Sequence, residues 1–140
     1  MIKCLIKIIF IIFFLQNALF AKSEYLQEGI ILFNKNKLED AKLKFEKDLV
    51  FNPKSESSYL YLSKIFNKQD KKKLEEQNLN TVILLNPKNE EAVYNLAKLK
   101  LISSDYKKSK ELNKRLKLIC KNFCIQSDKL EIEIENLSKQ

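Results

Sequence analysis

One tripeptide occurs twice in this chain. It appears as Asn52-Pro53-Lys54 and again as Asn86-Pro87-Lys88, with the prolines 34 residues apart. Each copy follows a strongly apolar stretch, Leu49-Val50-Phe51 and Ile83-Leu84-Leu85. Proline ends a helix because it lacks the N–H and its ring collides with the preceding turn, and it suits the start of the next helix. A period between about 20 and 50 residues marks an array of stacked units, none of which buries its apolar face alone. These two prolines are all the proline there is, and the chain has one glycine. So little of either excludes a turn-rich all-β fold. One glycine also excludes a P-loop or a dinucleotide-binding turn, which need several.

Within the period the apolar spacing is helical. Leu38, Ala41, Phe45 and Leu49 follow steps of three and four, as do Tyr59, Leu62, Ile65 and Phe66. Asn34 to Lys37 and Asn67 to Asp70 read as polar turns between paired helices. Large and small residues alternate in register: Tyr25, Gly29, Ala41 and Phe45 in the first unit; Tyr59, Leu62, Ser63, Phe66 and Leu79 in the second; Val93, Leu96, Ala97, Tyr106, Ser109 and Leu116 in the third. This pattern resembles the tetratricopeptide repeat, in proteins of the exported bacterial type. The resemblance implies an all-α fold of seven helices. It would be a right-handed α-solenoid of three hairpins (22–55, 56–89, 90–123) closed by a capping helix (124–140). The sequence departs from the pattern at Glu75, where a small residue is usual, at Lys100, an apolar position, and at Lys121, which replaces the closing proline. In the cap, Leu130, Ile134 and Leu137 keep helical spacing. The strand-like alternation of 130–135 has no second strand to pair with.

Residues 1–21 read as a secretory signal peptide. Lys3 and Lys7 precede an apolar run from Ile8 to Leu15, and Ala18-Leu19-Phe20-Ala21 ends the segment, with cleavage expected after Ala21. The run is much shorter than the roughly 20 apolar residues of a membrane span, so removal is expected. The alternative is a retained N-terminal anchor. Export, to the periplasm of a Gram-negative cell, is the expected localisation.

By resemblance to the repeat family, the first helix of each hairpin lines a concave groove that takes a peptide or protein segment. The groove positions are Leu26, Ile30 and Phe33 in the first hairpin, Leu60, Lys64 and Asn67 in the second, and Tyr94, Lys98 and Leu101 in the third. The Lys and Asn clamp with which one subclass grips chain-terminal carboxylates is replaced here by Leu26 and Ile30, so that recognition is not expected. After cleavage, Cys120 and Cys124 are the remaining cysteines. An exported pair tends to form a disulfide. At four residues' spacing the Cα atoms of a continuous helix lie near the limit of about 6.8 Å, so a turn around Lys121-Asn122 is needed. Such a bond would pin the capping helix.

Catalytic constellations are missing. There is no His, which excludes His-based triads and nearly all catalytic zinc sites, and no cofactor or metal is expected. Glu75-Glu76 and Glu90-Glu91 read as solvated helix faces, and Glu46-Lys47-Asp48 as interleaved surface charge. The formal charge is +8, with one Arg among 26 basic residues. Nucleic-acid binding is not expected, because aromatics set among Arg are lacking. The function expected is a non-enzymatic interaction module that binds another envelope protein. The membrane is a partner only if residues 1–21 stay attached, and self-association through the last face is possible.

Overall fold

The computed structural model describes residues 24–139. Those residues form seven helices and no strand. They are α1 (24–34), α2 (Leu38–Phe51), α3 (Glu56–Lys68), α4 (Lys72–Leu85), α5 (Glu90–Ile102), α6 (Tyr106–Ile119) and α7 (Cys124–Leu137). The expected signal peptide, 1–21, lies outside the described residues. The chain divides into two compact units, 1–58 and 59–140.

Three turns share one backbone solution. Asn36, Asp70 and Ser104 have φ of 56°, 52° and 61°. In each case the next N–H reaches back across the turn: Lys37 to the Leu32 carbonyl, Lys71 to Phe66 and Asp105 to Lys100, all at 2.9 Å. This left-handed C-terminal motif satisfies carbonyls that the helix end leaves orphaned. Asn and Asp tolerate that φ better than most residues, because their short side chains bond locally. Helices α3, α5 and α7 start at Glu56, Glu90 and Cys124, and the same 34-residue period runs through the positive-φ residues.

In the first unit, Gly29 lets α1 approach α2. A Cβ on Gly29 would lie 2.6 Å from the Phe45 ring, closer than packed carbons come. Ala41 and Phe45 are fully buried. Tyr25 stacks on Phe51, centroids 5.7 Å apart. Lys44 pairs with Glu28 and lies 5.5 Å from the Tyr25 ring centre. The hydrogen bond that Lys44 donates to Glu28 raises the Lys44 pKa above its ordinary value. Asp48 is not surface charge as expected, for it is fully buried. Its Oδ2 accepts from the Ser58 hydroxyl at 2.5 Å, and Ser58 accepts from Ser55 at 3.1 Å. A buried carboxylate needs such donors, and they tie α2 to the start of α3.

In the second unit one core runs through four helices. It includes Leu79 and Val82 of α4, Val93, Leu96 and Ala97 of α5, Leu112 and Leu116 of α6, and Leu130 and Ile134 of α7. Small residues set the α5–α6 approach, where the buried Ser109 hydroxyl donates to the Ala97 carbonyl at 2.8 Å. Asn113 stands in the third hairpin at the place of Phe45 and Leu79. It is buried and donates to the Ser127 carbonyl (3.0 Å), while its Oδ1 accepts from the Ser127 hydroxyl (2.8 Å). A polar pair thus replaces an apolar one where the cap docks.

Candidate partner-binding surfaces

In the first unit, Leu26, Ile30 and Phe33 are spaced by four and three and so share one face of α1. All three are half-buried. That face is apolar, and α1 turns its buried Gly29 toward Phe45 instead.

In the second unit, α3 and α5 carry the other six positions. Leu60 and Tyr94 are half-buried and rest on the core. Lys64 reaches Glu91 at 2.7 Å, joining α3 to α5, and its ammonium sits 4.8 Å from the Tyr61 ring centre. Tyr94 packs against Phe123, centroids 5.5 Å apart, and Lys98 lies 5.7 Å from the Tyr94 ring centre. Lys64, Glu91, Tyr94 and Lys98 therefore form one mixed surface of rings and charges, with Lys98 exposed. Asn67 is exposed as a residue, but its amide is engaged. It donates to both Glu75 oxygens, at 3.1 and 3.2 Å.

Two expectations change here. Leu101 is 5 % exposed and belongs to the core, so it presents almost no surface. The reason is that α5 is packed by α4, α6 and α7, leaving it a narrower free face than the spacing suggests. Glu75 is buried rather than solvated. Burial raises its pKa above the usual carboxylate value, and the Asn67 amide opposes that shift.

The last turn is built around Glu90. One oxygen of its carboxylate accepts the backbone N–H groups of Lys121, Asn122 and Phe123, at 2.8, 2.8 and 2.9 Å. Those bonds, led by the one from Lys121, hold the Glu90 pKa below its ordinary value. Three successive N–H groups at a helix start form a concave anion cradle. The cradle lies between Cys120 and Cys124, whose disulfide spans a Cα separation of 5.3 Å. Cys120 has left the helix, with ψ of 141°, which is the turn that the spacing required. Sequence reasoning missed Glu90 because its partners are backbone groups more than 30 residues away.

Among the described residues no group of His, Cys, Asp and Glu could hold a metal ion, and no helix is long and apolar enough to cross a membrane. No protein-family model matches the sequence, and no curated protein matches it. Solved structures do match. The TPR2B domain of yeast Sti1 in its pHsp70 complex superposes with a TM-score of 0.77 at 15 % identity, covering 83 % of this chain and 97 % of that one. The first TPR of Spaghetti (RPAP3), bound to the HSP90 peptide SRMEEVD, gives 0.74 at 14 % identity, covering 84 % and 93 %. SycD, the type III secretion chaperone of Yersinia enterocolitica, in complex with a peptide of the translocator YopD, gives 0.74 at 15 % identity, covering 84 % and 94 %. At these identities the likeness is one of fold, and the fold of this chain is that of the tetratricopeptide repeat.

Proposed function

We propose that this chain is a non-enzymatic interaction module of the bacterial cell envelope. It holds a segment of another envelope protein against the first helices of its hairpins. The observation that carries this reading is the division of α3 and α5 into two faces. Leu62, Ile65, Phe66, Val93, Leu96 and Ala97 are buried, while Leu60, Lys64, Tyr94 and Lys98 of the same helices keep contact with solvent. Half-buried apolar groups beside fixed charges suit an extended or helical segment with apolar anchors. Three solved structures of this fold hold an Hsp70-type partner, an HSP90 peptide and a translocator peptide, which supports a peptide ligand here. The envelope assignment rests on residues 1–21. If they stay attached, the same surface serves a membrane-anchored assembly factor, and the mass of the processed chain separates the two.

Site-specific photo-crosslinking in intact envelopes tests the reading. A benzophenone side chain would replace Leu60, Lys98 or, as a control, the exposed Ile132 of α7. The expected result is a discrete adduct from Leu60 and Lys98, weakened by Lys64→Glu, and none from Ile132. Equal adducts from all three would move the site off the first helices. No adduct from any of them would overturn the module itself.

A further inference from the structure

The proposed peptide surface leaves the outer face of α6 unused. Residues 106–119 carry six cations against one carboxylate, Glu111. Lys107, Lys110, Lys114 and Leu118 recur at steps of three and four, so they share one face of the helix, opposite the buried Leu112 and Leu116. All four are exposed, and Leu118 is 87 % exposed, the most of any large apolar side chain described. The guanidinium of Arg115 donates to the Pro87 carbonyl at 2.7 Å. That bond ties the turn after α4 to α6. Within three residues of Pro87 stand Leu84, 81 % exposed, and the exposed Lys88.

Among the described residues, the nearby carboxylates are already engaged. Glu111 pairs with Lys108 at 2.8 Å. Asp128 and Glu131 pair with Lys117, at 3.4 and 2.5 Å, and the Glu131 hydrogen bond raises the Lys117 pKa. Glu90 is held by the three backbone N–H groups. Glu133 and Glu135 lie toward the far end of α7 from the turn that follows Leu118. The result is a cationic face of α6 from which Leu118 protrudes, with a second exposed leucine, Leu84, three residues from the Pro87 that α6 holds.

We propose that this face docks on an anionic phospholipid surface, with Lys88, Lys107, Lys110 and Lys114 at the headgroups and Leu84 and Leu118 entering the acyl boundary. Charge complementarity selects an anionic surface, where each lysine contributes to adsorption. The leucines select a membrane over a nucleic acid. Lone aliphatic tips gain free energy by leaving water for lipid, whereas a phosphate backbone offers them nothing. Single exposed leucines are ordinary on protein surfaces. Here, however, the exposed aliphatic recurs at the same place in each hairpin, as Val50, Leu84 and Leu118.

The chain has no tryptophan, so a single indole reports its own surroundings. The full-length protein would carry Leu118→Trp or, separately, Ile132→Trp. Emission would be followed against vesicles of phosphatidylcholine with and without phosphatidylglycerol. A local readout is needed because residues 1–21 can themselves bring the chain to a vesicle. The expected result is a blue shift for Leu118→Trp with phosphatidylglycerol present. It should be absent on phosphatidylcholine alone, reversed by high salt, and not seen for Ile132→Trp. Adding Lys88→Gln and Lys114→Gln, both at exposed positions, should weaken the interaction about 30-fold, with helicity by circular dichroism unchanged. The proposal is overturned if Leu118→Trp does not shift, if it shifts equally on neutral vesicles, or if Ile132→Trp shifts as much. A response to an oligonucleotide or to polyglutamate without one to vesicles would also overturn it, and would reassign the face to that polymer.

Discussion

Two turns of the second unit do the same job with different chemistry. One joins α4 to α5 through Asn86-Pro87-Lys88, and the other joins α6 to α7 through Cys120-Lys121-Asn122-Phe123. Both open with the same bond, from Asn86 to the Val82 carbonyl and from Cys120 to the Leu116 carbonyl, each at 2.8 Å. From there they diverge. The first turn is finished locally: Pro87 stops the helix, and the Asn89 side chain accepts the Ala92 N–H at 2.7 Å as an N-cap. The second has no proline, and its capping position, Phe123, has no polar side chain to offer. Its N–H groups are satisfied by Glu90 from α5, and its ends are closed by a disulfide. A turn written in adjacent residues caps the next helix by itself, and the Arg115 guanidinium adds one long-range bond to its Pro87 carbonyl. A turn that lacks those residues must borrow an acceptor from a distant helix or a covalent bond.

The largest break in the comparison should come from the core under the second turn. Leu130→Ala removes a 2 % exposed side chain of α7 and should cost about 2–5 kcal/mol in urea unfolding. Amide exchange in α7 should rise ahead of that in α5. A uniform rise would mean that α7 is not a separable cap. Next, Cys120→Ser with Cys124→Ser should cost about 2 kcal/mol at most, because the loop closed is so short. A loss well above that would give the disulfide a role beyond the turn. Asn89→Ala, in the first turn, should cost about 1 kcal/mol, the ordinary loss of an N-cap. It should leave exchange at Lys121 to Phe123 unchanged.

The smallest effect is in the pH dependence. The folded pKa of Glu90 is depressed. Its contribution is therefore complete above the ordinary carboxylate pKa and is lost as pH falls through the depressed value. Glu90→Gln should be less stable than the parent at neutral pH and converge with it under acid. Glu75 has the opposite sign, since its folded pKa is raised. Glu75→Gln should gain stability at neutral pH, and the gain should vanish as pH drops below the unfolded carboxylate pKa. Parallel stability curves for parent and variants would remove both carboxylates from the account.

The fold was legible because its signals are local and repeated. The Asn-Pro-Lys spacing, the polar stretches at 34–37 and 67–70 and the single glycine each act on residues close in sequence or on one facing ring. The faces of the first helices were legible in part. Steps of four and three placed Leu26, Ile30 and Phe33 on one helix face, and half-burial is where the structure finds them. Leu101 was not legible, because its burial depends on how many helices crowd α5. Asn67 was read as a contact residue without its bond to Glu75, since nothing in the local sequence pairs them.

The charged residues show the same division. Asp48, Glu75 and Glu90 look like ordinary members of amphipathic helices, with lysines nearby to complete the impression. Helical period assigns a face, but it does not say what lies against that face. The serines at 55 and 58 make Asp48 a buried acceptor, and an amide eight residues upstream makes Glu75 another. Three N–H groups of a turn on the far side of α6 hold Glu90. The number, length and ends of the helices follow from propensity, turn residues and period, all of which act within a few residues. The roles of these carboxylates and the narrow free face of α5 come from contacts between different helices and turns. Those contacts exist only once the helices have packed.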